Sequence, residues 1–524
     1  MLRILQFKTP LEAKPEDVKG LFMKMYNIPE SDIMLFKILK ESLDARKDRF
    51  QWVYAIDFAL KNEAGYAKKY RAFELQPITI DKPFVARQVN AAQKPIIIGM
   101  GPAGLFCAYF LALHGQPSLI IERGESLEAR SKTVKKLWAL GELNPESNAQ
   151  FGEGGAGTFS DGKLTTRIKD PRSKEVLEIL HRFGAPDEIL YKQKPHIGTD
   201  VLKTVLTNLR NWLLDQHVEI RYSTKVDEIL DDRGVVIGVR TATGEIIKSR
   251  RVILAIGHSA RDTYDMLYTK KVAMNAKPFA MGFRIEHAQT AINEAQFGEF
   301  ATHPRLASAE YGLTAQASSG RGVYTFCMCP GGYVVNASTE AGLLAVNGMS
   351  YQARTGVNAN SALLTSVNPE DFEGEHPLRG MYAQRDIEAA AFALGGGGYL
   401  APVQLVGDFL KGLPTAALGS IKPSIKPGFT LTDLSGLYPK AVTEALKEGL
   451  VAMDKKLHGF SKVDAVLTGV ETRTSAPVRL TRHPETLESI SHKGLYPIGE
   501  GAGYAGGIMS SAVDGLKMAE LLLR

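Results

Sequence analysis

The residues of this chain best suited to chemistry form Pro95-Ile-Ile-Ile-Gly99-Met-Gly101-Pro-Ala-Gly104, a G-x-G-x-x-G pattern between a short apolar run and an apolar helical stretch. Each glycine answers a separate need. Gly99 permits a tight turn, Gly101 lets the backbone approach a pyrophosphate with no Cβ between them, and Gly104 lets helix and strand pack closely. Pro102 and Ala103 open the helix, whose unpaired N–H groups and partial positive charge would face the phosphates. A second apolar run, Pro117–Ile121, ends in Glu122-Arg123. Glu122 lies 23 positions after Gly99, close to the spacing at which a carboxylate meets an adenosine ribose, and this context makes a weak motif a strong one. A carboxylate there favours free ribose hydroxyls, hence FAD or NAD over NADP.

Three further segments favour FAD. The loop Ser147–Lys163 carries glycines at 152, 154, 155, 157 and 162, poor helix or strand material but suited to backbone N–H groups that approach a ligand closely. Phe151 and Phe159 within it argue against a solvated linker. Arg251–Ile256 reads as an apolar strand ending at Gly257-His258, after a hairpin pattern at Val235–Thr241 and Glu245–Lys248. Gly494–Met509 reads as a strand, a turn with Gly499, Glu500 and Gly507, and the entry to a final helix over Ser511–Leu523. Glu500 can accept hydrogen bonds from a ribityl or ribose hydroxyl.

These segments together resemble the FAD-binding folds of flavoprotein reductases and oxidases. More narrowly, Gly152–Lys163, Phe326-Cys-Met-Cys-Pro-Gly-Gly332, Asn347-Gly-Met-Ser350 and Glu471-Thr-Arg-Thr-Ser-Ala-Pro-Val-Arg479 resemble a bacterial family of FAD-dependent dehydrogenases and oxidoreductases with no assigned substrate. The resemblance spans essentially the whole chain. It implies cofactor contacts from Gly99, Gly101, Pro102, Ala103, Gly104, Glu122, Arg123, Gly154, Gly155, Ala156, Gly157, Thr158, Val226, Gly257, Gly499, Glu500, Gly507 and Ile508. One departure is Glu500, where many flavoproteins carry Asp.

A flavin supplies the redox chemistry, so the protein need only bind it, orient a substrate and tune its surroundings. His258 is the imidazole candidate for proton transfer, against a histidine that only caps or braces the fold. Lys163 and Ser160 could place a charge and a donor near the ring, against plain turn roles. Arg473 and Arg479 could clamp an anion bidentately, against a structural network with Glu471. Cys327-Met-Cys329 suggests a redox pair, but a strand points both thiols to one face at a spacing that bridges only with distortion, so reduced, buried thiols are expected. Cys107 reads as core. No His/Cys cluster has metal-ligand spacing.

These groups need a scaffold, and 524 residues allow three to four domains. The fold expected is α/β: an FAD-binding Rossmann-like domain over 91–270 and 489–524, a mixed α+β insertion over 271–488 acting on substrate, and a small α/β unit over 1–90. In that unit strands near Leu2–Phe7, Ile33–Ile38 and Trp52–Leu60, with a helix after Pro15, suggest a ferredoxin-like β-α-β-β order. Val89–Pro95 reads as a linker. The composition, 44% hydrophobic and 23% charged, is that of a globular protein, and three cysteines exclude a disulfide framework. Of the net +6, residues 1–90 hold +4, 16 basic against 12 acidic.

Between Lys94 and Glu122 no position is Asp, Glu, Lys or Arg. Gly99, Gly101, Pro102 and Gly104 cut that run into strand and helix, so no membrane span is expected. The charged start lacks the apolar stretch of an export signal, which predicts a cytoplasmic protein. The function expected is FAD-dependent hydride transfer on a small molecule, with NAD(P)H a possible transient reductant since no second dinucleotide turn is visible. The alternatives are a flavin-dependent RNA-modifying enzyme, motivated by the weakly basic residues 1–90, and a flavin-binding module without turnover.

Overall fold

A computed structural model describes residues 1–46, 49–76, 84–86 and 94–524. Most of the Val89–Pro95 linker, and the boundary at 90, lie outside them.

The Ile96–Ile98 strand is fully buried, as a continuous apolar run demands of a parallel strand covered on both faces. It is central in a five-stranded parallel sheet ordered Leu495–Pro497, Val252–Leu254, Ile96–Ile98, Leu119–Ile121, Glu219–Arg221. The chain therefore returns to this sheet some 240 residues after leaving it at Leu254. Helix Pro102–Leu113 is apolar on nearly all sides and buries every residue from Ala103 to Ala112, which suits an interior helix. It packs against the final helix Ile508–Leu523, where a Cβ at Gly515 would sit 2.2 Å from the Ala103 carbonyl. That final helix starts three residues before the expected Ser511. No helix among the described residues is long and apolar enough to cross a membrane. The opposite face of the sheet carries a three-stranded antiparallel layer, Val226–Asp232, Val235–Thr241 and Ile246–Lys248.

The stretch after Thr269 builds a seven-stranded mixed sheet ordered Thr314–Gln316, Gly322–Cys329, Asn358–Val367, Phe279–Ala288, Val466–Glu471, Ala401–Leu405, Phe429–Leu431. All its pairs are antiparallel except the last. Phe283, Ile285, Leu363 and Leu467 face a core completed by helices Arg379–Leu394 and Lys440–Asp454. Tyr333–Asn336 and Val346–Met349 pair antiparallel in a separate two-stranded ribbon.

Near the N-terminus, four antiparallel strands are ordered Ile33–Asp44, Gln51–Leu60, Leu2–Pro10, Glu74–Leu75, with helices Val18–Tyr26 and Glu63–Lys69 between them in sequence. This is a β-α-β-β-α-β order, one helix and one short strand longer than the expected pattern. Phe22 anchors its core against Phe7, Phe36, Phe58 and Phe73. Backbone bonds from Glu41 to Tyr191 (2.8 Å) and from Gln193 back to Glu41 (3.0 Å) join this sheet to the rest of the chain.

Candidate functional site

A cavity of about 1410 Å³ opens between the C-terminal edge of the parallel sheet and the seven-stranded sheet, larger than the ~300–1,000 Å³ of most small-molecule sites. Two turns separated by about 400 residues of sequence form its floor: Gly99–Ala103 and Gly499–Ser511. The glycines of the first turn divide as their spacing predicts. Gly99 has φ +102°, and a Cβ there would lie 2.3 Å from the Ala255 carbonyl oxygen. A Cβ at Gly104 would lie 2.1 Å from the Gly99 carbonyl oxygen. Gly101 differs: its φ is ordinary, and a Cβ would find only the Gly155 Cα, at 3.8 Å. Protein packing does not require glycine at 101, whereas a ligand lying on the turn would.

Helix Pro102–Leu113 starts from Gly101 and helix Ile508–Leu523 from Gly507, neither with a side-chain cap. Two sets of first-turn N–H groups, with no acceptor inside their helices, thus lie at one cavity.

Glu122 is buried, one oxygen accepting from the Met100 N–H (2.8 Å) and the other from Gly124 (2.9 Å) and Gly152 (3.0 Å). A carboxylate has about four lone-pair positions, so one remains for a ribose hydroxyl. Arg123 is fixed by Asp262 and Glu146 and lies 4.3 Å over the Phe151 ring. The glycine-rich loop is held from beneath by Arg130, which sequence reasoning missed. Fully buried, it donates to the carbonyls of Asn148 (2.9 Å) and Glu153 (2.6 Å) and to Thr158 Oγ1 (3.3 Å). Gly155, Ala156 and Gly157 reach the cavity wall, as do Val226, Gly257, Gly499, Glu500, Gly507 and Ile508.

Gly104, Gly154 and Thr158 do not, and direct contact is corrected to packing. Gly154 makes room for Thr158 Oγ1, 2.2 Å from where its Cβ would be, and Thr158 donates to the Glu153 carbonyl.

The catalytic candidates are placed less as expected. His258 lines the cavity, with Nδ1 3.0 Å from Ser259 Oγ. Burial, then the cations Arg473 and Arg261, bring its pKa down to about 3. The imidazole is therefore neutral at ordinary pH, and the expected proton donor near pH 7 is corrected to a neutral hydrogen-bonding group.

Arg473 also lines the cavity, with three of its five N–H donors committed: Nε and Nη2 to Glu388 (2.9 and 2.5 Å), Nη1 to Thr339 Oγ1 (2.6 Å). Arg261 grips the same carboxylate from the other side at 2.6 and 2.9 Å. Burial alone would raise the Glu388 pKa, yet the two guanidiniums hold it far below the carboxylate range. Arg473 is thus anchored in a structural network, with Glu388 rather than Glu471 as the partner.

Lys163 donates to Asp161 (2.6 Å) and, at very short range, to the Met328 carbonyl, so one ammonium proton remains for the cavity it lines. Asp161 is shared with Arg354 and Ser350. Ser160 spends its hydroxyl on the Gly157 carbonyl and the Gly162 N–H, the turn role weighed for it.

Both oxygens of Glu471 accept from one nitrogen, Nη1 of fully buried Arg284 (3.1 and 3.0 Å). Burial nonetheless pushes both Glu471 and Glu500 up to about 7, against the pull of Arg284 on the first and Lys277 on the second. Arg479 and Lys277 line the wall near Glu500, and neither is ion-paired to a carboxylate among the described residues. Arg479 is 5.1 Å from the Tyr504 ring centroid. The lining carries nine Lys or Arg against four Glu; Arg123, Lys163, Lys194, Lys225, Arg354 and Arg473 are ion-paired, which leaves, among the described residues, Arg167, Lys277 and Arg479 as the cations of the wall that draw anions.

These residues fit FAD. A diphosphate would meet a Cβ-free turn and uncapped helix ends, and Glu122 and Glu500 in the wall would be available to ribose and ribityl hydroxyls. No group of His, Cys, Asp and Glu among the described residues is arranged to hold a metal ion.

A family match agrees with FAD as the cofactor. The family model "FAD-dependent protein, C-terminal domain-like" matches residues 278–474, and a domain of unknown function matches residues 1–59. An "Uncharacterized protein" of Clostridium beijerinckii is 48% identical over 526 aligned residues, covering 100% of this chain and 98% of its own. Protein FixC of Escherichia coli is 30% identical over 166 residues, 31% of this chain and 36% of FixC. Among solved structures, glycine oxidase from Bacillus cereus matches with a TM-score of 0.35 at 12% identity, over 82% of this chain and 94% of its own.

Proposed function

The chain belongs to an FAD-dependent protein family, and we propose on that premise that it is an FAD-dependent oxidoreductase transferring a hydride to or from a small anionic molecule. The observation that carries the reading is the meeting of the Gly99–Ala103 and Gly499–Ile508 turns on one large, cation-rich cavity.

In this reading the Gly101 turn and the N-terminus of helix Pro102–Leu113 hold the diphosphate, Glu122 the adenosine ribose, Val226 the adenine edge and Glu500 the ribityl chain. Bound flavin supplies hydride chemistry. Arg479 and Lys277, free of carboxylate partners, anchor the substrate's charge; Arg473 positions the wall through Glu388. His258 offers a neutral hydrogen bond, and Lys163 its remaining ammonium proton. NAD(P)H enters the same cavity as a transient reductant.

The test is the visible spectrum of the purified protein, followed by anaerobic mixing with NADH, NADPH and a panel of carboxylate- and phosphate-bearing metabolites. Flavin absorbance that bleaches with one of them is expected. A colourless protein that takes up no FAD refutes the cofactor, and a bound flavin that all of them leave oxidised refutes turnover.

A further inference from the structure

The strand Gly322–Cys329 does not run straight through its two cysteines. Opposite strand Asn358–Val367, Phe326 pairs with Ala362 but Cys329 pairs with Asn360, so Cys327 and Met328 together face the single residue Ser361. This is a β-bulge. Its first extra residue, Cys327, has φ +43°, the left-handed region that glycine normally fills in a bulge and that strains any other residue. In a straight strand the two Cα atoms would stand about 6.6 Å apart, at the far edge of what a disulfide spans. Cys329 Sγ donates to the Cys327 carbonyl oxygen (3.3 Å), so the second thiol is folded back against the first residue of the pair. A disulfide across this spacing would carry strain, which makes such a bond readily reduced and suits a reversible pair rather than a permanent cross-link.

The surroundings distinguish the two sulfurs. Cys327 lines the flavin cavity, whereas Cys329 is fully buried behind it. Arg284 Nη2 donates to Cys329 Sγ (3.3 Å) and to the Cys327 carbonyl (2.7 Å), and Lys163 donates to the Met328 carbonyl between them. The neighbouring Cys329 thiol, together with Arg284 and Lys163, draws the Cys327 thiol down to about 5, and burial drives Cys329 well up. A thiolate thus faces the cavity with its thiol partner behind it. Cys107 is the contrast: deep in helix Pro102–Leu113 with no cation near, its thiol is driven far up by burial, the mark of an inert core cysteine.

We propose that Cys327 and Cys329 are a redox-active dithiol that exchanges two electrons with the flavin of the same cavity. In the oxidising direction an S–S bond forms between Cys327 Sγ and Cys329 Sγ and the Cys329 S–H bond breaks. Two electrons and that one proton leave the pair for the oxidised flavin, a hydride equivalent, so charge and atoms balance. The reverse reaction returns thiolate and thiol. The inference rests on the flavin reading above.

The test equilibrates the purified holoprotein anaerobically in buffers of reduced and oxidised dithiothreitol, quenches in acid, alkylates under denaturing conditions and counts modified cysteines by mass. All three thiols should react in reducing buffer. In oxidising buffer only Cys107 should, with Cys327 and Cys329 in one peptide lighter by two hydrogens. A parallel dithionite titration of holoprotein first oxidised in that buffer and then freed of dithiothreitol should consume two two-electron equivalents per flavin, falling to one in Cys327→Ser and Cys329→Ser. Three reactive thiols in every buffer, or one equivalent per flavin in the unaltered protein, overturns the proposal. Absence of a flavin spectrum overturns the functional reading instead and leaves the thiol count as a separate result.

Discussion

Substituting Gly101 by alanine separates a glycine kept for the ligand from glycines kept for the fold. At Gly101 φ is −79° and ψ −175°, so alanine meets no backbone strain, and its Cβ would touch only the Gly155 Cα at 3.8 Å. Alanine lowers unfolded-state entropy, worth about 0.4–1 kcal/mol of stability, and loses a similar amount as a poorer helix N-cap. The apo protein should therefore unfold within about 1 kcal/mol of the unaltered chain. The added methyl projects from the turn on which the diphosphate would lie. Loss of one hydrogen bond to a charged group costs about 1.5–3 kcal/mol, so FAD affinity should fall roughly 10- to 150-fold. Gly104→Ala should behave in the opposite way, because its Cβ would sit 2.1 Å from the Gly99 carbonyl oxygen and 3.2 Å from Ile97 Cγ2, an overpacking that typically costs about 1–3 kcal/mol. Urea denaturation of the two apo variants and FAD titration followed by flavin fluorescence supply both numbers. If Gly101→Ala binds FAD as tightly as the unaltered chain, or is itself unfolded, the assignment of Gly101 to the ligand is wrong.

Glu388→Gln should destabilise the protein by about 3–5 kcal/mol, because it leaves the buried guanidiniums of Arg261 and Arg473 without their shared charge; an unchanged urea midpoint would refute that network. Glu471 and Glu500 have folded pKa values raised to about 7, so between about pH 4.5 and 7 the folded state holds more protons than the unfolded one. Apo stability should then fall as pH rises through that window, and Glu500→Gln should flatten the slope; a slope of the other sign would count against it. His258, neutral above about pH 3, should contribute no inflection near pH 6.5 to the rate of flavin reduction. An inflection there that disappears in His258→Asn would show that the imidazole titrates normally.

How much of this was legible in the sequence depends on the range of the interaction. Gly99, Gly104 and Glu122 could be read because a strand, a turn and a helix close on themselves within some twenty residues, and each position has a local steric or hydrogen-bonding reason. The Gly499 turn is legible for the same reason, and its meeting with Gly101 follows once both strands enter one parallel sheet. The charged half of the site obeys no local rule. Arg284 finds Glu471 across neighbouring strands 187 positions apart, and Arg261 finds Glu388 across 127. Those pairings come from the order of the seven-stranded sheet and the helix laid against it. Arg473 shows the consequence: its guanidinium was rightly expected in an ion pair or a clamp, but only the fold chooses Glu388 over a ligand. Cys327 is a further case. The straight strand expected there bulges instead, because a left-handed residue at that position sets two residues opposite the single Ser361, and no local sequence rule announces it.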